Sequence, residues 1–541
     1  MDETPILIAG GGPVGMTLAL VLARLGVPCI LAERNLETTR HPKMDITNVR
    51  SMELFRRYGL SQVLRAVAVP EANNFDVAWV TTMAGHELHR FRYPSVVEKQ
   101  AEIAARNDGS QPLEPAMRVS QVVIEPVLKT AVLAEPLIDA RFGWAFEDCT
   151  QDADGVTVTL RETDTGHADT VRCAYLAGCD GGTSRVRAAV GIALDGQAKV
   201  AQRYMIHFRS TARDLLQRFG IAWHYQSHNG TIIAQDDVDT WTLQTRLDAP
   251  ETPEGLDPTR RLTDFVGRPI GAEILVANPW TPHLLIAQSY MHGRVLLAGD
   301  AAHQYIPTGG YGMNTGIGDA VALGWKLAAV MKGFGGPQLL AAYDAERRPV
   351  GERNRQASGA HTQVRMLIAR AYAEAGANGP LDGASAAAEQ RRAALAARIA
   401  HLGNAENESW GIELGYAYPR SAIVCGETDA EISADPVNYV PTTAPGARLP
   451  SVLLDDGIPL FDKLGPWFTL LSFGATPDAD LVAAAARRGM PLASVRLDQP
   501  GLSSIYGAPQ ILVRPDQHVA WRGRAAGGRA DAILARCLGW S

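Results

Sequence analysis

The sequence predicts an α/β protein of several domains: a parallel nucleotide-binding sheet, an antiparallel sheet inserted into it, and a separate α/β unit at the C-terminal end. Three observations predict this. A Gly-rich turn and a helix join two buried strands at the N-terminus, aromatic-rich alternating runs interrupt the middle of the chain, and a strand–helix–strand–hairpin–helix pattern follows a Pro-rich connector. At 541 residues the chain exceeds what one hydrophobic core organises, so more than one domain is expected.

In chain order, residues 6–9 and 29–33 are apolar and read as buried strands around a helix at 13–25, a βαβ opening. Helical periodicity follows at 49–58 and 122–131. A hairpin is expected from 156–161 and 169–172, then another strand at 175–179. Between 203 and 247 the pattern changes to short alternating runs, 204–208, 223–226, 230–234 and 241–246, which predict an antiparallel sheet with one buried face. Helices are expected at 313–332 and 336–353, and the Ala-, Arg- and Glu-rich stretch near 376–403 as a solvated surface helix. Pro436, Pro441, Pro445 and Pro450 mark a connector. Beyond it come strand 467–473, helix 479–488, strand 492–497, hairpin 511–514 with 519–521, and helix 530–538.

Composition excludes several functional classes. A net charge of −7 gives no reason to expect nucleic acid or an anionic membrane as a partner. Glycines and Pro28 break the most apolar stretch before it reaches the roughly 20 residues of a membrane span. Met1-Asp2-Glu3-Thr4 is acidic where a secretory leader is basic, so a cytoplasmic location is expected. The six cysteines form no CxxC pair, the thirteen histidines have no metal-ligand spacing, and no GxSxG elbow is present. Reduced thiols, no metal and no Ser-His-Asp catalysis follow.

Chemistry concentrates in a few segments. Gly10-Gly11-Gly12-Pro13-Val14-Gly15 is a GxGxxG between strand and helix. There Gly10 permits the turn, Gly12 lets backbone approach a pyrophosphate, Gly15 allows helix–strand packing, and the helix end offers N–H donors. Glu33 closes the second strand at the offset expected of a carboxylate that grips ribose hydroxyls. This makes the first domain Rossmann-like. A second segment runs from Gly299-Asp300 through Pro307, Gly310 and Tyr311 to Gly312-Met313-Asn314. A strand-end carboxylate there is followed by a Gly-rich turn into a long helix, whose positive end suits negative charge.

Together with Asp180-Gly181 in Cys179–Arg187, and with Glu33-Arg34, these segments resemble the single-component FAD-dependent aromatic-ring hydroxylases, in order and at comparable spacing over roughly residues 5–355. The resemblance implies an extended FAD with Asp300 on its ribityl chain, Asp180 serving FAD and a transiently docked NADPH or NADH, and hydroxylation of a phenolic or other aromatic molecule by O2 through a flavin C4a-hydroperoxide. Epoxidation and Baeyer–Villiger insertion use the same chemistry, and a scaffold that has lost catalysis is the alternative from another class. The segment His41–Glu53 matches the family's stretch over the flavin, with Lys43 where Arg is usual and Asp45 where phenol hydroxylase carries its active-site aspartate. Lys43 keeps the charge but not the bidentate fork. Arg118 and Gln121 match the family's cofactor contacts at a helix start. Asp45 is the candidate catalytic residue, with a purely structural helix N-cap as the alternative. A free phenol has a pKa of about 10 and Asp about 3.9, so Asp45 is expected to act as a hydrogen-bond acceptor, or as a base raised by burial.

The expected domains are an FAD-binding domain in three parts (1–73, 100–187 and 285–400, the last with a helical extension) and a substrate domain in two (74–99 and 188–284). A linker (401–445) and a thioredoxin-like unit without CxxC (446–541) complete the chain. The substrate is expected between flavin and inserted sheet, touching some of His207, Trp223, Tyr225, Trp241 and Tyr311. With Cys537 standing alone near its end, the terminal unit is expected to have a structural or dimer-supporting role and no dithiol chemistry.

Overall fold

The structure is a computed structural model and describes residues 2–247, 255–426 and 431–540. Its first sheet has the strand order Met291–His292, Val295–Leu297, Ala168–Gly178, Asp2–Ala9, Cys29–Glu33, Ile138–Phe142. Apart from the short first strand, neighbours on this path run parallel. Ile6, Leu7 and Ile8 are fully buried, as expected where helices cover both faces of a parallel sheet. Helix Pro13–Arg24 packs on one face against helix Tyr311–Met331. The expected hairpin and following strand fuse into one strand, Ala168–Gly178. Its first half pairs antiparallel with Val156–Glu162, and it runs parallel to the N-terminal strand almost throughout.

Register brings the three motifs together. Ala9 stands opposite Gly178, and Gly178 opposite Leu297. Gly10, Cys179-Asp180 and Gly299-Asp300 therefore leave the sheet side by side at the carboxyl ends of parallel strands, where open α/β sheets bind ligands.

The inserted sheet has seven strands in the order Glu273–Trp280, Arg203–Arg209, Thr240–Arg246, Gly230–Ala234, His224–Ser227, Val77–Val80, Glu87–Phe91. The helix expected to end near 353 instead continues as Gln338–Gly376, through Pro349. Helix Ala386–Leu402 is not merely a solvated face. Its Leu395 and Ile399 are buried against Ile368, Ala371, Tyr372 and Trp79, so it backs the inserted sheet.

The C-terminal sheet, Leu492–Leu497, Phe468–Phe473, Gln510–Val513, Val519–Gly523, carries helices Ala479–Arg487 and Ala530–Cys537. Phe468, Leu512, Leu534 and Leu538 belong to the same apolar core as the first domain, and Phe468 meets Trp325 edge-on at 5.7 Å. Buried ion pairs cross this junction. Glu346 accepts from Arg514 (2.6 and 2.8 Å) and Lys326 (2.9 Å), and Glu53 pairs with Arg50 and Arg448. Among the described residues no helix is long and apolar enough to cross a membrane, and no cluster of three or more ligating side chains could hold a metal ion.

Candidate active site

One cavity of about 1220 Å³ runs from the carboxyl edge of the parallel sheet to the inserted sheet. That exceeds the roughly 300–1,000 Å³ of a site for one drug-sized ligand. On the sheet side it is walled by Gly12, Pro13 and Val14, by Lys43, by Gln121, and by Asp300, Pro307, Gly310, Gly312 and Met313. Both helices that point into it start without a side-chain cap, at Gly12 and at Gly310. Their first N–H groups are left for an anionic or carbonyl ligand.

The glycines divide by role. At Gly10 (φ +110°) an added Cβ would lie 2.3 Å from Cys179 O, and at Gly15 1.9 Å from Gly10 O. At Gly12 an added Cβ would meet nothing within 4 Å. Gly10 and Gly15 thus serve the fold, while Gly12 borders open space. Glu33 turns back onto this loop, Oε2 accepting from Gly11 N (2.7 Å) and Oε1 from Asn35. Arg34 lies beside it, exposed and outside the cavity wall.

A buried relay fixes the second motif. Asp319 accepts from Gly299 N (3.1 Å) and Arg347 Nε (2.8 Å) and pairs with His303 Nε2 (2.7 Å). The turn that presents Asp300 is therefore held from below. Asp300 itself is exposed along the cavity wall. Asn314 does not line the cavity. It ties the helix start to the Asp45 segment, donating to Gly310 O and Ile46 O and accepting from Asn48 N. Gln121 does line the cavity, but its Nε2 donates to Glu125 (2.6 Å), a cavity residue that the sequence did not single out.

Several expected contacts are corrected. Arg118 is 2% exposed and forms a bidentate pair with Asp237 (2.8 and 3.0 Å), bracing the inserted sheet away from the cofactor side. Asp180 does not line the cavity. Its carboxylate accepts from Ser184, Arg185 N and Val186 N and so starts helix Arg185–Ala189, leaving Gly181 and Gly182 at the cavity. Tyr225 and Trp241 are sheet core, bonded to Gly220 O and Ser210 O. His207 bonds Trp241 O and Thr242 on the same sheet, off the cavity. Tyr311 faces neither substrate space nor solvent, because its hydroxyl is bonded to His361 Nε2 (2.9 Å) beneath the loop.

Trp223 does reach the cavity, and with it His224, which the sequence did not mark. Trp223 Nε1 donates to Asp45 Oδ2 at 2.7 Å, His224 Nε2 lies 3.3 Å from the same oxygen, and the two ring centroids are 4.0 Å apart with the planes tilted by 31°. Both partners engage Oδ2, and among the described residues none bonds Oδ1. Asp45 is not a helix cap: Asn48 caps Val49–Arg57, accepting from Ser51 N.

The chain matches the family model described as FAD binding domain over residues 3–358, and that described as aromatic-ring hydroxylase, C-terminal, over 442–540. The chain belongs to the FAD-dependent aromatic-ring hydroxylases. The hydroxylase is 38% identical to FAD-dependent monooxygenase apdD of Emericella nidulans, over all of this chain and 91% of that protein. It is 30% identical to a putative polyketide hydroxylase of Streptomyces halstedii, over 96% and 94% of the two chains. Its structure is similar to that of the rebeccamycin biosynthetic enzyme RebC with reduced flavin, at TM-score 0.89 and 33% identity, covering 100% and 99%. FAD is the cofactor of the family, NAD(P)H its co-substrate, and the uncapped helix ends and the open space at Gly12 fit a dinucleotide.

The hydroxylase also builds its cavity from residues 401–445, expected only as a linker. Trp410, Glu413 and Asn438 line it. Burial pushes the Glu413 carboxyl up to about 7, although Val49 N and Ser409 donate to it. Folded protein therefore holds a proton that the unfolded chain releases between about pH 4.5 and 7, so this group's contribution falls as pH rises through that window. Glu413→Gln is expected to flatten the pH dependence of stability, reducing the change between pH 5 and 8 by up to about 3 kcal/mol. Urea denaturation at the two pH values checks it, and an unchanged difference would show Glu413 titrating normally.

Proposed function

We propose that this hydroxylase inserts one oxygen atom of O2 into a multi-ring aromatic substrate carrying a phenolic hydroxyl, and that Asp45 Oδ1 accepts the hydrogen bond of that hydroxyl. One observation carries the reading. The cofactor side and the aromatic wall of Phe75, Trp79 and Trp223 form a single continuous cavity, with Asp45 at their junction. Its size supports a substrate larger than one ring beside a dinucleotide, in keeping with the polyketide named for the Streptomyces relative.

When bound, FAD supplies the reductive activation of oxygen; the chain's own groups position and polarise. Trp223 and His224 hold one carboxylate oxygen of Asp45 and turn the other toward the substrate. A hydrogen bond from the phenol to a carboxylate draws electron density into the ring and raises its reactivity toward an electrophilic oxygen. The helix Tyr311–Met331 starts at Gly310 without a side-chain cap, and its free N–H dipoles would stabilise negative charge on the cofactor.

The test is Asp45→Ala. Losing a hydrogen bond to a charged group costs about 1.5–3 kcal/mol, so product formation is expected to fall roughly 10- to 100-fold while bound flavin is retained. NAD(P)H oxidation that continues without product would mark failed substrate activation. Unchanged, fully coupled hydroxylation would remove Asp45 from the reaction.

A further inference from the structure

The absence of a CxxC motif does not exclude a dithiol, because the structure supplies one from two distant segments. Cys537, in the last helix, lies with its Sγ 3.7 Å from Cys425 Sγ. Cys425 comes from outside the C-terminal unit, on the stretch Ser421–Gly426 that continues from the cavity-lining residues. Hydrogen bonds fix the pair from both sides. Cys425 N donates to Ala520 O (2.8 Å), and Arg536 Nε donates to Ala422 O (3.1 Å). The Cys425 thiol also touches Ile533 O (3.4 Å), one helical turn before Cys537.

We propose that Cys425 and Cys537 form a redox-active dithiol, which hydrogen peroxide converts to an intramolecular disulfide and a thiol reductant restores. The sulfurs must close by under 2 Å to reach the S–S bond length of about 2.05 Å, a shift within side-chain rotation and small backbone adjustment. Both thiols are buried, but Cys425 is next to exposed Gly426, which gives a small oxidant the shorter path to Cys425.

The two thiols are not equivalent. The S–H of Cys537 supports negative charge on Cys425 and holds that thiol below its ordinary value, while the same contact and burial push Cys537 up. Burial instead pushes Cys29 and Cys173 up to about 12 and Cys149 up to about 11. Cys425 is thus the attacking sulfur. Its thiolate displaces hydroxide from hydrogen peroxide and becomes a sulfenic acid. Cys537 then attacks that sulfur, and the second oxygen leaves as water. In sum, two thiols and one peroxide give one disulfide and two waters, with sulfur oxidised and peroxide oxygen reduced.

The bridge would tie the Ser421–Gly426 segment, whose Ser421 donates to Glu346, to the last helix of the C-terminal unit. Neither cysteine lines the cavity, so reduced variants are expected to keep their basal NAD(P)H oxidation.

The experiment treats the intact, flavin-loaded protein with hydrogen peroxide and then alkylates it in denaturant. Alkylatable thiols are expected to fall from six to four, with a 425–537 cross-linked peptide in non-reducing digests and full recovery after dithiothreitol. The melting temperature of the oxidised protein should rise above that of the reduced. Cys425→Ser and Cys537→Ser should each abolish both the cross-link and the shift. Six free thiols after treatment, a bridge between other cysteines, or oxidation of Cys425 to sulfinic acid without a bridge would each overturn the proposal.

Discussion

Glu346→Ala is expected to destabilise the folded protein by about 3–5 kcal/mol, the range for removing one partner of a buried ion pair. Glu346 is 2% exposed, and it binds Lys326, Arg514 and Ser421. Without it Arg514 keeps Asp516, but among the described residues Lys326 keeps the Ala322 carbonyl and the Trp325 ring face at 4.5 Å, neither of them a counter-charge. A buried ammonium so placed must either stay charged at great cost or release its proton. Adding Lys326→Met to Glu346→Ala should therefore recover part of the loss, a coupling that a double-mutant cycle in urea measures directly. Acid reveals the same group. Burial alone would raise the Glu346 carboxyl, yet Arg514 and Lys326 outweigh it and hold it at about 2. Its stabilisation is therefore complete above about pH 4.5 and lost as pH falls from there toward 2. A loss below about 1 kcal/mol for Glu346→Ala would mean that the junction tolerates the unpaired cations.

That junction was poorly legible in the sequence, and the reason is physical. Arg50, Glu53, Lys326, Glu346, Arg514 and Asp516 are spread over more than 450 positions, and nothing local distinguishes them from surface charges. Short-range physics was legible. Alternation located four of the seven strands of the inserted sheet, missing Val77–Val80, Glu87–Phe91 and Glu273–Trp280, and the strand–turn–helix context located Gly10–Gly15 and Gly299–Asn314, because backbone geometry there depends on neighbours in sequence. What alternation could not tell was which face of the inserted sheet meets the cavity. Trp223 meets it, whereas Tyr225 and Trp241 hydrogen-bond into the sheet's own core. Arg118 and Asp180 misled for a related reason. Each is a charged residue beside a ligand-binding segment, and each is satisfied by a partner that only the tertiary fold supplies, Asp237 for one and the start of Arg185–Ala189 for the other. The stretch 401–445 reads as a linker because of Pro436, Pro441 and Pro445, yet Trp410, Glu413 and Asn438 close one wall of the cavity.

Gly12→Val is expected to give a folded protein without flavin, because glycine at position 12 serves the ligand and not the fold. Gly12 has φ −76° and ψ −178°, a conformation open to any residue, and nothing within 4 Å obstructs a Cβ there. The polypeptide alone gives no reason for glycine at this position. Gly10 and Gly15 differ, since their substitution drives a Cβ into backbone at 2.3 and 1.9 Å and should damage the fold with or without a cofactor. A Val side chain at position 12 would stand where the pyrophosphate approaches the uncapped start of helix Pro13–Arg24, blocking the N–H donors that would bind it. A fall in flavin affinity of at least about 100-fold, some 2.8 kcal/mol, is expected, with far-ultraviolet circular dichroism and the melting temperature of the flavin-free protein unchanged. Gly10→Ala should lower that melting temperature as well. The readouts are the visible spectrum of each purified variant and titration with FAD. If Gly12→Val still purifies with a full complement of flavin, the space beside Gly12 is not the pyrophosphate site, and the two uncapped helix ends must be assigned to a different ligand geometry.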